Sequence, residues 1–271
     1  SELQYKGVVF NEMKGAMSST NSILWQTISK YVFPTTTYHF NSGGEPDHIP
    51  DLSYQELLDF YKSHYHPSNA VFMTFGDISA FDHQEKFQEQ ALSHFDMLDI
   101  NIEVKDEKRY LAPISVEEFY ANEETDKPQS HVVLAWLLGR STDLGELFRA
   151  ELVSSVLLDN SASPLLQALE TSELGSSPSP MCGLEDSNRE MSMMAGLEGC
   201  TTQSSEAIES LIIKTLEGVV KNGIPYSQVE ASLHQLELHQ REISGDSYPY
   251  GLQLILAGLS TAMHRGDPIE L

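Results

Sequence analysis

Basic residues are scarce in this sequence. Sixteen Lys and Arg stand against 40 Asp and Glu, a formal charge of -24. That shortage excludes nucleic acid as an expected partner, because binding it requires phosphates to be neutralised by Lys and Arg. Cysteine is almost absent. Cys182 and Cys200 are too few for a disulfide framework, and neither lies in a CxxC spacing. They read as two buried or half-buried thiols of a reducing compartment, with pairing left open. No run of 18 apolar residues occurs, so no membrane span and no membrane partner are expected. Ser1 to Lys6 hold neither an initiator Met nor a basic segment leading into an apolar run, so the expectation is a piece cut from a longer polypeptide. Short-period repeats, low-complexity segments, a Gly-rich phosphate loop and a Ser-His-Asp or Cys-His set are also missing.

What is present suffices for a real core, with 40% hydrophobic residues spread over 271. Apolar residues at threes and fours predict helix over 3–33, broken by Gly15 and the Ser18-Ser19-Thr20-Asn21 cluster. Pro34 to Leu52 reads as loop. Ser53, with Glu56 three residues later, predicts a capped helix that ends before Pro67. The run Ala70 to Phe75 predicts a buried strand, and 80–97 a further helix. A weakly periodic stretch, Asp99 to Arg109, then Pro113, places a domain boundary between 1–112 and 113–271. Beyond it, strands are expected at Ser115–Tyr120, Ser130–Leu138 and Glu190–Leu197. Helices are expected at 144–158, 164–172, 204–222, 226–243 and 249–264, with loop over 173–189 that leaves room for a short strand. The fold class is α+β.

Among chemistry-bearing residues, Glu12 sits beside Val8, Val9 and Met13, at the edge of the face expected to be buried. Periodicity alone does not separate it from a solvated helix carboxylate. His234 and His239 are five apart, about 140° around a helix, so they read as surface residues rather than a metal pair. His64 and His66 flank Tyr65 at a helix end. The first reads as a helix C-terminal His and the second as a turn residue. Gly43 and Gly44 allow either a close approach of a peptide substrate or a tight turn. Asn69 suits a hydrogen bond within its own turn. Met191, Met193 and Met194 read as core filler on a strand.

The segment Gly7-Val8-Val9-Phe10-Asn11-Glu12-Met13-Lys14-Gly15 resembles the stretch that supplies the third zinc ligand in the pitrilysin/insulinase family of zinc peptidases, in its presequence protease branch. Ser42-Gly43-Gly44-Glu45-Pro46 and Tyr65-His66-Pro67-Ser68-Asn69-Ala70 follow in the family's order. Ser163-Pro164-Leu165, Ala195-Gly196-Leu197-Glu198-Gly199 and Gly266-Asp267-Pro268 resemble the start of its second homologous domain. The resemblance implies two partial pitrilysin-like domains, each a mixed or antiparallel sheet packed with helices. Residues 1–112 would be the C-terminal portion of the catalytic domain and 113–271 the N-terminal portion of a non-catalytic one. It implies zinc as cofactor, Glu12 as metal ligand, peptide substrates bound as an added strand inside a chamber, and the remainder of the same polypeptide as partner. The family's His-x-x-Glu-His motif is absent from this sequence, so the chain alone is expected to be inactive and to bind zinc weakly. The compartment would be the cytoplasm in a bacterium or an organelle matrix in a eukaryote. A non-catalytic scaffold or peptide-binding subunit is the alternative.

Overall fold

A computed structural model describes residues 7–100, 102–121, 128–243 and 248–269. Contacts group the chain into two units, one of residues 1–43 with 106–242 and one of 44–105 with 243–271. Units of packing and segments of common ancestry need not coincide.

In the larger unit, helix α1 (Val8–Ser18) and helix α2 (Thr20–Val32) are separated by the single extended residue Ser19, whose side chain accepts from the Ser22 N–H. The break therefore falls in the Ser/Thr/Asn cluster, where a side-chain oxygen replaces a lost helix bond. Strand β1 (Ser130–Arg140) pairs antiparallel with β4 (Glu190–Cys200), with Val132 opposite Leu197 and Trp136 opposite Met193. Two short strands, β2 (Ser177–Pro178) and β3 (Gly183–Glu185), pair with the other edge of β4. Gly196 is required at the β1 crossing: a Cβ there would stand 2.2 Å from the Val132 carbonyl oxygen.

Helix α5 (Leu144–Leu158) begins at Asp143, whose side chain accepts from the Glu146 N–H. Helix α6 (Pro164–Glu170) opens on a proline, and α7 (Ser205–Asn222) ends at Gly223 with φ 73°. Leu157, Leu165, Leu169, Ile208 and Ile212 from these helices pack on Met193, Ala195 and Leu197 of β4. Strand alternation turns Met194 to the other face, where it lines a cavity with Trp25 of α2 and Cys182. Helix α8 (Tyr226–Arg241) packs against α5. The expected α+β class with an antiparallel sheet is what forms.

The smaller unit holds helix α3 (Tyr54–His64), α4 (Ala80–Gln90) and α9 (Tyr250–Met263). The capping box of α3 is complete, with the Glu56 carboxylate accepting from the Ser53 N–H at 2.7 Å. Phe72 packs on Phe87 at 4.8 Å between ring centroids, and the Phe75 ring fills the space left by Gly251.

Two expected strands do not form as expected. Ala70–Phe75 carries no strand pairing among the described residues, and Val71, Phe72 and Phe75 are about half exposed. Its apolar composition signals a demand for burial that this chain does not meet. Ser115–Tyr120 lies outside any ladder; side chains hold it, with Glu118 accepting from Tyr31 and Tyr120 donating to the Gln129 carbonyl. The helix expected over 80–97 stops at Gln90, followed by a 3-10 turn over Leu92–His94. Val8 and Val9, expected on a buried face, are 73% and 67% exposed.

Candidate functional site

Glu12 stands in the second turn of α1, which buries none of its residues. Helical spacing puts Val8, Val9, Gly15 and Ala16 on its side of the helix. The two residues following it on that face are small, and a Cβ at Gly15 would meet nothing within 4 Å. Glu12 is exposed, and no hydrogen bond or ion pair engages its carboxylate among the described residues. Gly15 and Ala16, following it on that face, leave open space beside the carboxylate. One carboxylate is a ligand and not a site: among the described residues, no group of three His, Cys, Asp or Glu side chains could hold a metal ion.

The histidines have other duties. His64 Nδ1 lies 2.8 Å from the Ser63 hydroxyl and 3.2 Å from the Phe60 carbonyl, and its ring stacks on Phe60. His66 Nδ1 accepts from the Ser68 N–H and so caps the turn Pro67–Asn69. The pair is thus split between the end of one helix and the start of a turn. His234 is exposed and 3.8 Å from Glu237. Asn69 does more than serve its own turn: its amide donates to the His64 carbonyl and its oxygen accepts from Arg265.

Gly43 and Gly44 have local turn roles. The Gly43 N–H donates to Asn41 Oδ1 at 3.0 Å, and Gly44 takes φ 84°. Cys182 and Cys200 are both free thiols. Met193 lies in the core and Met194 on the opposite face of the strand, as filler of both sides.

Sequence reasoning missed a partly buried ionic cluster at the end of the sheet, built from Asp106, Glu107, Arg109, Arg140, Arg189 and Glu190. Its members lie up to 84 residues apart and share no local pattern, so no sequence signal could have joined them.

Residues 51–236 match the family model described as the peptidase M16 inactive domain. The chain belongs to the M16 peptidases, the pitrilysin/insulinase family of the sequence resemblance. Within that family it is similar to the mitochondrial presequence protease of Xenopus tropicalis, 36% identical over 277 residues covering 100% of this chain and 26% of that protein. It is also similar to protein HypA of Clostridium perfringens, 32% identical over 98% of this chain and 27% of that protein. The chain thus spans about a quarter of the length of the curated relatives it matches. A crystal structure of a peptidase M16 inactive domain from Pseudomonas fluorescens shares the fold, with a TM-score of 0.68 at 17% identity, over 94% of this chain and 58% of that one. No helix among the described residues is long and apolar enough to cross a membrane.

Proposed function

We propose that this chain is part of a zinc-dependent oligopeptidase that degrades short, unfolded peptides in a closed chamber, and that Glu12 is one of its metal ligands. Residues 1–112 would close a catalytic domain and 113–271 open a non-catalytic one. The observation that carries this reading is the Glu12 carboxylate itself, unpartnered on an exposed helix inside the full Gly7–Gly15 motif. Similarity to presequence proteases along the entire chain supports it. The name inactive domain attaches to a model covering 51–236, and Glu12 lies outside that range.

Glu12 would contribute one carboxylate oxygen and leave a position for water, while elements beyond this chain supply the other ligands. When bound, zinc supplies Lewis acidity to the scissile carbonyl and a water of lowered pKa. Gly43 and Gly44 would let the backbone approach an extended peptide. The charge of -24 favours cationic peptides through long-range attraction that fades with salt.

The test uses the full-length polypeptide. Peptide cleavage should stop on chelation, return with zinc and be lost in Glu12→Ala. Cleavage of cationic peptides should fall with added salt more steeply than that of neutral ones. This chain alone should neither cleave peptides nor bind zinc tightly. Chelator-insensitive cleavage by the full-length protein would sink the zinc reading. Absence of any cleavage in that protein, with peptide binding retained, would establish the scaffold alternative.

A further inference from the structure

Among the described residues, the helix carrying Glu12 buries none of its own side chains. It is joined to α2 through Ser19 and packs on α2. Helix α2 is fixed in turn. Ser29 is buried, Phe33 is 1% exposed, and Trp25 shares a cavity with Met194 of β4. Its last turn is held by Glu118, which accepts from Tyr31 and Lys30, and by the Tyr110 hydroxyl, which donates to the Tyr31 carbonyl; a second carboxylate grips the exit beyond it. Glu107 Oε2 accepts from the backbone N–H groups of Thr35 at 2.9 Å and Thr36 at 3.1 Å, and Oε1 accepts from the Thr35 hydroxyl and the Lys108 N–H.

Glu107 is only 5% exposed. Burial pushes its carboxyl up, but these four donors outweigh it and leave the group below the ordinary carboxylate range. Behind it stands the end of the β1–β4 pair. The Glu107 N–H donates to Glu190 Oε2 at 2.6 Å, and Arg109 donates to Glu190 Oε1 at 2.7 Å and to the Leu138 carbonyl. Asp106, next in sequence, accepts from both Arg140 and Arg189. The Arg189 N–H donates to the Tyr38 hydroxyl just beyond Thr36. A clasp of partly buried charge therefore fastens the exit of α2 to the sheet at two points, Thr35–Thr36 and Tyr38.

We infer that Glu107 is a positioning residue for the metal site: by fixing the exit of α2 on the sheet, it sets where α1 presents Glu12. A ligand must be held to within roughly 0.5 Å of its productive place, so a shift at the exit of α2 that is passed on to α1 would carry Glu12 off it. This inference rests on the reading of Glu12 as a zinc ligand.

The experiment compares four variants of the full-length polypeptide with the parent: Glu12→Ala, Glu107→Gln, Thr35→Ala and Tyr38→Phe. Zinc affinity is measured by competition with a chelator, kcat and KM at saturating zinc, and thermal unfolding in parallel. Glu107→Gln should weaken zinc binding by about tenfold, the scale of groups that orient a ligand without touching the metal. Activity should return when zinc is raised, with KM unchanged. A merely destabilised protein would unfold at a lower temperature yet bind zinc like the parent well below that temperature. Thr35→Ala and Tyr38→Phe should weaken zinc in the same direction by smaller factors, and they decide the matter if Glu107→Gln does not fold. If Glu12→Ala weakens zinc while the folded clasp variants bind it like the parent, the inference is overturned and the reading of Glu12 stands. If Glu12→Ala leaves zinc affinity unchanged, that reading fails and takes the inference with it.

Discussion

The hydroxyl of Tyr38 accepts a hydrogen bond of 2.8 Å from the backbone N–H of Arg189, joining two residues 151 positions apart. Burial pushes the Tyr38 phenol up, so it stays a neutral hydroxyl able to accept. Its ring meets Phe33 edge-on at 5.0 Å, and a phenylalanine would keep that contact. Tyr38→Phe therefore removes the hydroxyl and keeps the ring. It leaves a buried N–H without its acceptor and should destabilise the fold by about 1–2 kcal/mol. Thermal or denaturant unfolding of the two proteins measures the difference; no change would mean that water replaces the hydroxyl.

Asp106 gives the fold an acid limit. The side chains of Arg140, then Arg189, lower its pKa from 3.8 to about 2. A group depressed in the folded state contributes stability that is complete above its unfolded pKa and is lost as pH falls through the folded one. The window is thus roughly pH 4 down to pH 2. Glu107 is lowered as well and acts with the same sign. Since Asp106 is 43% exposed, Asp106→Asn should cost only roughly 1 kcal/mol at neutral pH. Stability measured against pH should show the gap between parent and variant closing at the acid end. A constant gap would mean the effect is steric.

The crossing of β1 over β4 tolerates no side chain at Gly196. A Cβ there would meet Val132 O at 2.2 Å and Val133 Cα at 2.8 Å, both backbone atoms that cannot swing aside. Gly196→Ala should destabilise by about 3 kcal/mol or more, whereas Leu197→Ala next to it should cost about 2–5 kcal/mol by leaving a cavity. Denaturant midpoints for both variants check this pair of opposite causes.

The two thiols should be sluggish. Cys200 is 1% exposed, and burial pushes it up; Cys182 is half-buried, raised in the same way, and bonded to the Gly196 backbone. Iodoacetamide at pH 7 should label each at least about tenfold more slowly in the native protein than in the unfolded one. Mass spectrometry over time reads this directly, and rapid native labelling of Cys200 would contradict the packing.

Where the sequence could be read, local chemistry was the reason. Ser53 with Glu56 marks a helix start that the structure caps with both side chains. The apolar runs at Val132–Trp136 and Met191–Leu197 became β1 and β4 because they pair with each other and each turns a face to the core. Ala70–Phe75 has the same composition but no pairing among the described residues, since a strand needs a neighbour that composition does not name. Glu12 was singled out by its motif and not by periodicity. The Asp106–Glu107–Glu190 cluster was invisible, because partners 83 residues apart leave no mark in either neighbourhood.

The interleaving of the two units bears on synthesis. A ribosome adds roughly 5–20 residues each second, so Arg189 is made some 8–30 s after Tyr38, its partner. Throughout that interval α2 lacks its contact with β4, and Trp25, which ends beside Met194, offers apolar surface to whatever is nearby. The nascent chain should therefore lean on chaperones until β4 is complete.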